Sequence, residues 1–223
     1  MSPRLMFQKE LRELSDNLHE MTDGVIESYE KLFSALAGED QDVIGEIALS
    51  EKVFGDMQRA IEAKCLYLIT KQQPIASDLR FVTASLKVVA DIDRISDHVA
   101  DIAELFLRMH KNNADVFKSL TVVLAEMAAV TGKMLKEAIN SFFYDDEDEA
   151  AAVITMDDQV DALFNKIKEE LISHLKADSK NADECIDTLM VVKHLEKIGD
   201  HAESIGLWEL FRISGDMKNT RLL

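Results

Sequence analysis

The chain has 223 residues, with 42 acids against 25 lysines and arginines and a formal charge of −17 at pH 7. That excess excludes nucleic acid and anionic lipid as partners held by bulk attraction, and leaves cations and basic protein surfaces. Apolar residues make up 47% of the chain, yet there are only 2 prolines and 8 glycines, too little turn punctuation for a sheet protein of this size. Long helices are therefore expected, in one or two domains. Cys65 and Cys185 stand alone without a CxxC, which suits a reducing compartment and gives cytoplasmic as the expected location. The start "MSPRLMFQKE" lacks a signal-peptide core, and no run of about 18 apolar residues is present to span a membrane.

Apolar residues recur at alternating steps of three and four along almost the whole chain, the pattern of helices with one buried seam. Phe7, Leu11, Leu14, Leu18, Met21 and Val25 trace the first helix. Asp40 and Asp42 suit the N-terminus of the second, where the helix dipole favours acids. Its seam runs through Val43, Ile47, Ser50, Phe54, Met57, Ile61 and Leu68. "KQQPIASD" then breaks the pattern: Pro74 disfavours helix at Gln73, and Ser77 or Asp78 can cap a new start. The third seam is Val88, Ile92, Ile95, Val99, Ile102 and Phe106.

"KNNAD", residues 111–115, is a polar junction, after which the scheme restarts. Phe117, Leu120, Leu124, Met127 and Met134 mark helix four. "DDEDE" at 145–149 places acids on the start of helix five, followed by Val153, Met156, Val160, Leu163, Ile167 and Leu171. "KADSKNAD" separates helix six, whose seam is Val191, Leu195, Ile198, Ala202 and Ile205. The expected fold is all-α: six long helices, each of some 30 residues and roughly 45 Å long. Short loops make neighbours antiparallel, giving two tandem three-helix bundles over 1–111 and 112–223. Trp208 and the methionines at seam spacing read as core.

The halves repeat. Shifted by 103, residues 84–106 fall on 187–209, with seven of 23 positions identical. Five are apolar seam positions that any two helices might share; the Asp-His pair, Asp97-His98 against Asp200-His201, is the more telling match.

Around that pair lie acidic stripes. Asp93, Asp97, Asp101 and Glu104 form one, placed by 100° per residue roughly opposite the apolar seam. Glu196 and Asp200 repeat Asp93 and Asp97, and Ser204 stands for Asp101. Asp157 and Asp161 lie four apart on helix five, and Glu51 sits at a similar flank of helix two. The plain alternative is a solvated charged face. Such a face usually sets lysine four residues from an acid, whereas here acid follows acid, which costs a few tenths of a kcal/mol per pair. A hard cation ligated by the carboxylates would reverse that sign. His98 and His201 have three roles open to them: metal ligand, phosphoryl acceptor, or hydrogen-bonded interface residue; the sequence favours the last, and the acids nearby disfavour a phosphoryl group.

Three stretches carry a family resemblance over nearly the full length. "QQPIASDLR" (72–80) looks like the loop into helix three of the PhoU family. "DIDRISDHVADIAE" (91–104) and "HLEKIGDHAESIG" (194–206) resemble that family's doubled Glu-Arg-Ile-Gly-Asp-His motif. The resemblance implies negative control of phosphate uptake and of the phosphate-starvation response. It implies contacts with the ATPase subunit of a phosphate transporter and with a sensor histidine kinase. Exposed helical bundles often self-associate, so a homodimer is expected as well. The resemblance also implies bound divalent or iron ions, carried by position onto Glu51, Asp93, Asp97 and Asp101 in the first half and Asp157, Asp161, Glu196 and Asp200 in the second. The chain departs from the family pattern at Asp93, Ser96, Asp101, Ser204 and Gly55.

Two further readings compete. A PhoU-like accessory protein could serve a different phosphate transporter. A di-iron carboxylate enzyme in a helical bundle would need Glu-x-x-His on two helices, and the chain has none. No nucleophile constellation, glycine-rich phosphate loop or zinc finger is present either, so no enzymatic activity is expected.

Overall fold

The computed structural model describes residues 3–110 and 115–216, so residues 111–114 of the polar junction, with the boundary between 111 and 112, lie outside the described residues. Six long helices appear as expected: α1 (Pro3–Gly38), α3 (Glu51–Gln72), α4 (Ala76–His110), α6 (Thr121–Tyr144), α7 (Glu147–Ala177) and α8 (Ala182–Ser214). Two short ones, α2 (Gln41–Ala48) and α5 (Asp115–Ser119), and a 3-10 turn at Ser179–Asn181 complete the set among the described residues.

Asp40 caps α2 by accepting from the Val43 N–H at 3.2 Å, and Asp146 caps α7 by accepting from the Glu149 N–H at 2.9 Å. Glu147, Asp148 and Glu149 fill the first turn of α7, where the dipole favours them. At the proline loop, α3 stops at Gln72 and α4 restarts at Ala76, with Gln73 and Ala76 both in the left-handed region. The new helix thus begins just before the predicted Ser77 or Asp78 cap.

Two predicted helices are broken in two. The second is interrupted at Leu49–Ser50, where Leu49 N–H bonds to Glu46 O and Ser50 N–H to Ile47 O, a three-residue tightening that bends the chain. Of the predicted seam Ile47, Phe54, Ile61 and Leu68 are buried, Val43, Ser50 and Met57 are only half-buried, and Ile44 and Cys65 join the core beside them. The fourth is interrupted at Leu120. There the Glu184 carboxylate, from the first turn of α8, accepts from the N–H groups of Val116 and Phe117 at 2.6 and 3.0 Å. A side chain more than 60 residues away thus caps α5 separately from α6.

The seams of α4 and α8 are buried throughout. The two helices lie antiparallel against each other and form the most extensive helix pair of the molecule. Arg80 meets Arg212, Asp91 meets His201, His98 meets His194 and Arg108 meets Asp187 along their length. The two bundles therefore share one continuous core. A second joint ties α1 to α6. The buried Tyr29 hydroxyl donates to Ala128 O at 2.7 Å, and Gly132 makes room for the ring, since a Cβ there would lie 2.8 Å from Tyr29 Cε1.

Candidate functional site

The acidic residues singled out by spacing fall into two grooves and one interface. On the first half, Glu51 and Gly55 of α3 face Asp93 and Asp97 of α4 across a shallow depression that Lys52, Gln58, Arg59 and Arg94 also line. Arg94 donates to Asp97 at 2.9 Å, and Arg59 to Asp56 at 2.5 Å. Three carboxylates thus share the depression with three cationic side chains.

The stripe does not lie opposite the seam. Asp93 is only 8% exposed, because α4 is enclosed by α1, α2, α3 and α8 and has little free surface along its middle turns. Burial, reinforced by the neighbouring Asp97, pushes the Asp93 carboxyl above its usual range, and Arg94 opposes that rise.

The second half gathers Asp157 and Asp161 of α7 with Glu196, Asp200 and Glu203 of α8. Burial pushes Asp157 up to about 6, and those four acids add to it in the order Glu203, Asp200, Asp161, Glu196. Its Oδ1 is buried and accepts no hydrogen bond among the described residues. A Cβ at Gly199 would lie 3.6 Å from that oxygen and 3.4 Å from Val160 Cγ1, ordinary contact distances. Lys193 and Lys197 supply counter-charge on the α8 side of the group. Lys193 donates to Glu196 at 2.5 Å, and Lys197 to Asp200 at 2.5 Å, which holds Lys197 above its ordinary value. An orphaned buried carboxylate oxygen amid further carboxylates is a donor set that suits a hard cation. The residues that would hold one are Asp157, Asp161, Glu196 and Asp200, and a bound ion would add positive charge beside them.

Asp101 belongs to neither groove. It sits a turn beyond Asp97, at the α4–α8 interface. There His98 and His194 face each other with their Nδ1 atoms 3.1 Å apart, one ring N–H donating to the other ring's bare nitrogen. Asp101 Oδ2 is 3.5 Å from His194 Nδ1 and 3.8 Å from His98 Nδ1. Burial and the two neighbouring imidazoles, His194 then His201, hold His98 down to about 4, and burial lowers His194 as well. His201 donates to Asp91 at 2.9 Å, and Ser204 donates to the other oxygen of Asp91 at 2.8 Å. Both motif histidines are thus hydrogen-bonded interface residues, the role the sequence favoured. Glu104 is exposed on the surface beyond this cluster.

His194 and Asp91 were not picked out from the sequence. The available signal was spacing: Asp91 and His98 are seven residues apart, as are His194 and His201, two turns on one helix face. Under the 103-residue shift Asp91 becomes His194, His98 becomes His201 and Asp101 becomes Ser204. The pairs His98–His194 and Asp91–His201 are therefore the same contact seen from the two sides of a pseudo-twofold axis.

Paired three-helix bundles with charged grooves on their flanks, joined through a histidine-lined helix pair, define an all-α protein of two tandem repeats. The sequence profile of the PhoU domain matches residues 18–106 and again 124–208, and the chain belongs to the PhoU family, a family of regulatory proteins and not of enzymes. It is 30% identical over 214 residues, 95% of this chain and 96% of the relative, to a phosphate-specific transport system accessory protein PhoU homolog of Clostridium acetobutylicum. A homolog of the same description from Borreliella burgdorferi is 29% identical, covering 91% of this chain and 92% of the relative. Among solved structures, PhoU from Pseudomonas aeruginosa has the same fold with a TM-score of 0.88 at 24% identity, covering 94% of this chain and 100% of that one. The phosphate transport system regulatory protein PhoU from Streptococcus pneumoniae matches with a TM-score of 0.83 at 26% identity over 95% and 98%. Among the described residues no helix is long and apolar enough to cross a membrane.

Proposed function

We propose that this protein is a cytoplasmic regulator of phosphate uptake. It restrains a phosphate ABC transporter through that transporter's ATPase subunit and keeps a sensor histidine kinase from starting the phosphate-starvation response. The observation that carries this is the doubled family match, which spans both repeats and nearly the whole length of relatives described as phosphate-specific transport accessory proteins. The acidic surface supports a docking role, since a charge of −17 favours basic faces on protein partners. The units 1–111 and 112–223 are taken as the two repeats, and the protein is taken to work as a homodimer.

Deleting the gene tests this reading. Phosphate uptake and starvation-responsive expression should rise in phosphate-rich medium, and normal control in the deletion strain would overturn it. If uptake changes only through a second, unrelated phosphate transporter, the protein serves that system instead.

Metal is a separate part of the proposal. Of the residues carried over from the family pattern, the second groove, with Asp157, Asp161, Glu196 and Asp200, is the stronger cation site. Glu51, Asp93 and Asp97 share theirs with Arg59 and Arg94 and bind more weakly. Elemental analysis of natively purified protein should find a divalent or iron ion; a metal-free protein would reduce both grooves to electrostatic surfaces.

A further inference from the structure

We infer that His98, His194 and Asp101 form a third metal site, for a first-row transition ion of the zinc class, which staples the two repeats together. It lies apart from the acidic grooves and does not depend on them. Its donors differ in kind: two imidazole nitrogens and one carboxylate, against carboxylates alone. Imidazole selects zinc, copper, nickel and iron, whereas an all-oxygen set suits magnesium, calcium and manganese.

The geometry is specific. The three ligand atoms form a triangle with edges of 3.1, 3.5 and 3.8 Å. A point equidistant from all three corners lies about 2 Å from each, which is the ordinary Zn–N and Zn–O bond length. An ion there displaces the proton now shared between the two Nδ1 atoms, and the ring that carried it takes up a proton at its bare Nε2, so both imidazoles ligate as neutral Nε2–H tautomers with no net proton released. The side chains of His98 and His194 are 19% and 15% exposed, while that of Asp101 is 49% exposed, so the carboxylate stands at the open mouth of the site. Three protein ligands leave a position for water on that side.

The other side of the pseudo-twofold axis supplies an internal control. There the equivalent positions are His201, Asp91 and Ser204, and the Asp91 carboxylate is already satisfied by the ring N–H of His201 and the hydroxyl of Ser204. Two changes of residue type, Asp91 to His194 and Ser204 to Asp101, separate a closed hydrogen-bond network from a set of converging donors. The His201 ring packs 5.7 Å from that of His98 and supports its orientation. Ligands from α4 and α8 would make the ion a clamp across the joint between the repeats.

Calorimetric titration of chelator-treated full-length protein with Zn²⁺ tests this, with melting curves as a check on folding. The parent should show one tight binding event. His194→Ala should weaken it roughly 100-fold, and Asp101→Ser, at the half-exposed ligand, by 10-fold or more. The double variant Asp157→Asn with Asp200→Asn should leave it unchanged. Spectra of the Cu²⁺-loaded protein should show coupling to two nitrogens, a signature that no carboxylate groove can give. Tight zinc binding that survives Asp101→Ser, or that disappears in the groove double variant, overturns the assignment. So does copper bound through oxygen alone. None of these outcomes bears on the control of phosphate uptake.

Discussion

The two acidic grooves occupy equivalent places on the two repeats, yet they are electrically different objects. In the first, Asp93, Asp97 and Glu51 meet Lys52, Arg59 and Arg94. In the second, Asp157 meets Asp161, Glu196, Asp200 and Glu203, with Lys193 and Lys197 as counter-charges on the α8 side. The difference traces to a few positions. Gly55 stands where the second half has Asp161, Arg59 where it has Asn165, Ala100 where it has Glu203, and Ser96 where it has Gly199. Asp157 is half-buried, while Glu51 remains exposed. Duplication preserved the helix pair and its crossing. The chemistry laid on that pair then diverged, gathering five carboxylates on one side.

That contrast is tested most strongly at Asp157. Its folded value of about 6 lies above the ordinary 3.8, so the folded state holds its proton more tightly than the unfolded chain. The stability this gives is fully present below about pH 3.8 and is lost as pH rises through about 6. Metal-free protein at pH 7.5 therefore carries a cost on the order of 2 kcal/mol at this residue. Asp157→Asn should remove it, raising the melting temperature by about 4–8 °C at pH 7.5 and by little at pH 4. Glu51→Gln, at the equivalent exposed position, should change stability by less than about 0.5 kcal/mol. Equal responses at the two positions would break the comparison.

Cation binding sharpens it next. Mn²⁺ added to chelator-treated protein should bind in the second groove, and Asp200→Ala should weaken that binding about 10-fold, roughly 1.4 kcal/mol. Asp97→Ala should leave it unchanged. A reversed pattern, with binding lost on Asp97→Ala, would place the stronger site on the arginine-lined half. Converting one groove towards the other gives a smaller effect. Gly55→Asp alone should add little, because Arg59 Nη1 would lie 3.6 Å from the new Cβ and neutralise the acid. Gly55→Asp with Arg59→Gln should give the first groove Mn²⁺ binding within about 10-fold of the second.

These residues also show what the sequence disclosed. The seams through Val88–Phe106 and Val191–Ile205 came through unaltered, because burial at three-and-four spacing is a local property of the chain. The acids at the starts of α2 and α7 were legible for the same reason, and the structure shows that Asp40 and Asp146 among them act as caps. The break at Leu120 was not, since leucine is a good helix former and the cap comes from Glu184 across the fold. The burial of Asp93 was hidden too. One helix wheel marks the face turned to one neighbour, and α4 has neighbours on several sides. Spacing likewise marked Asp101 as one more member of a stripe. Its partnership with His194 depends on the antiparallel register of α4 and α8, which sets residues about 95 positions apart side by side.

The smallest effects concern the counter-charges themselves. Arg94 is largely exposed and reaches one carboxylate, Asp97, at 2.9 Å. Lys197 reaches two, Asp200 at 2.5 Å and Glu196 at 3.5 Å, and Glu196 is largely buried. Loss of Arg94 should therefore cost only about 0.2 kcal/mol, as exposed pairs usually do. Loss of Lys197 leaves two carboxylates facing Asp157 without their shared cation, and should cost about 0.5–1 kcal/mol at low salt. Denaturant unfolding of Arg94→Ala and Lys197→Ala at 20 mM and 1 M salt measures both. Screening should shrink the Lys197 effect more than the Arg94 effect, because repulsion among the remaining acids is the larger part of it. If the two losses were equal at low salt, the second groove would hold no more uncompensated charge than the first.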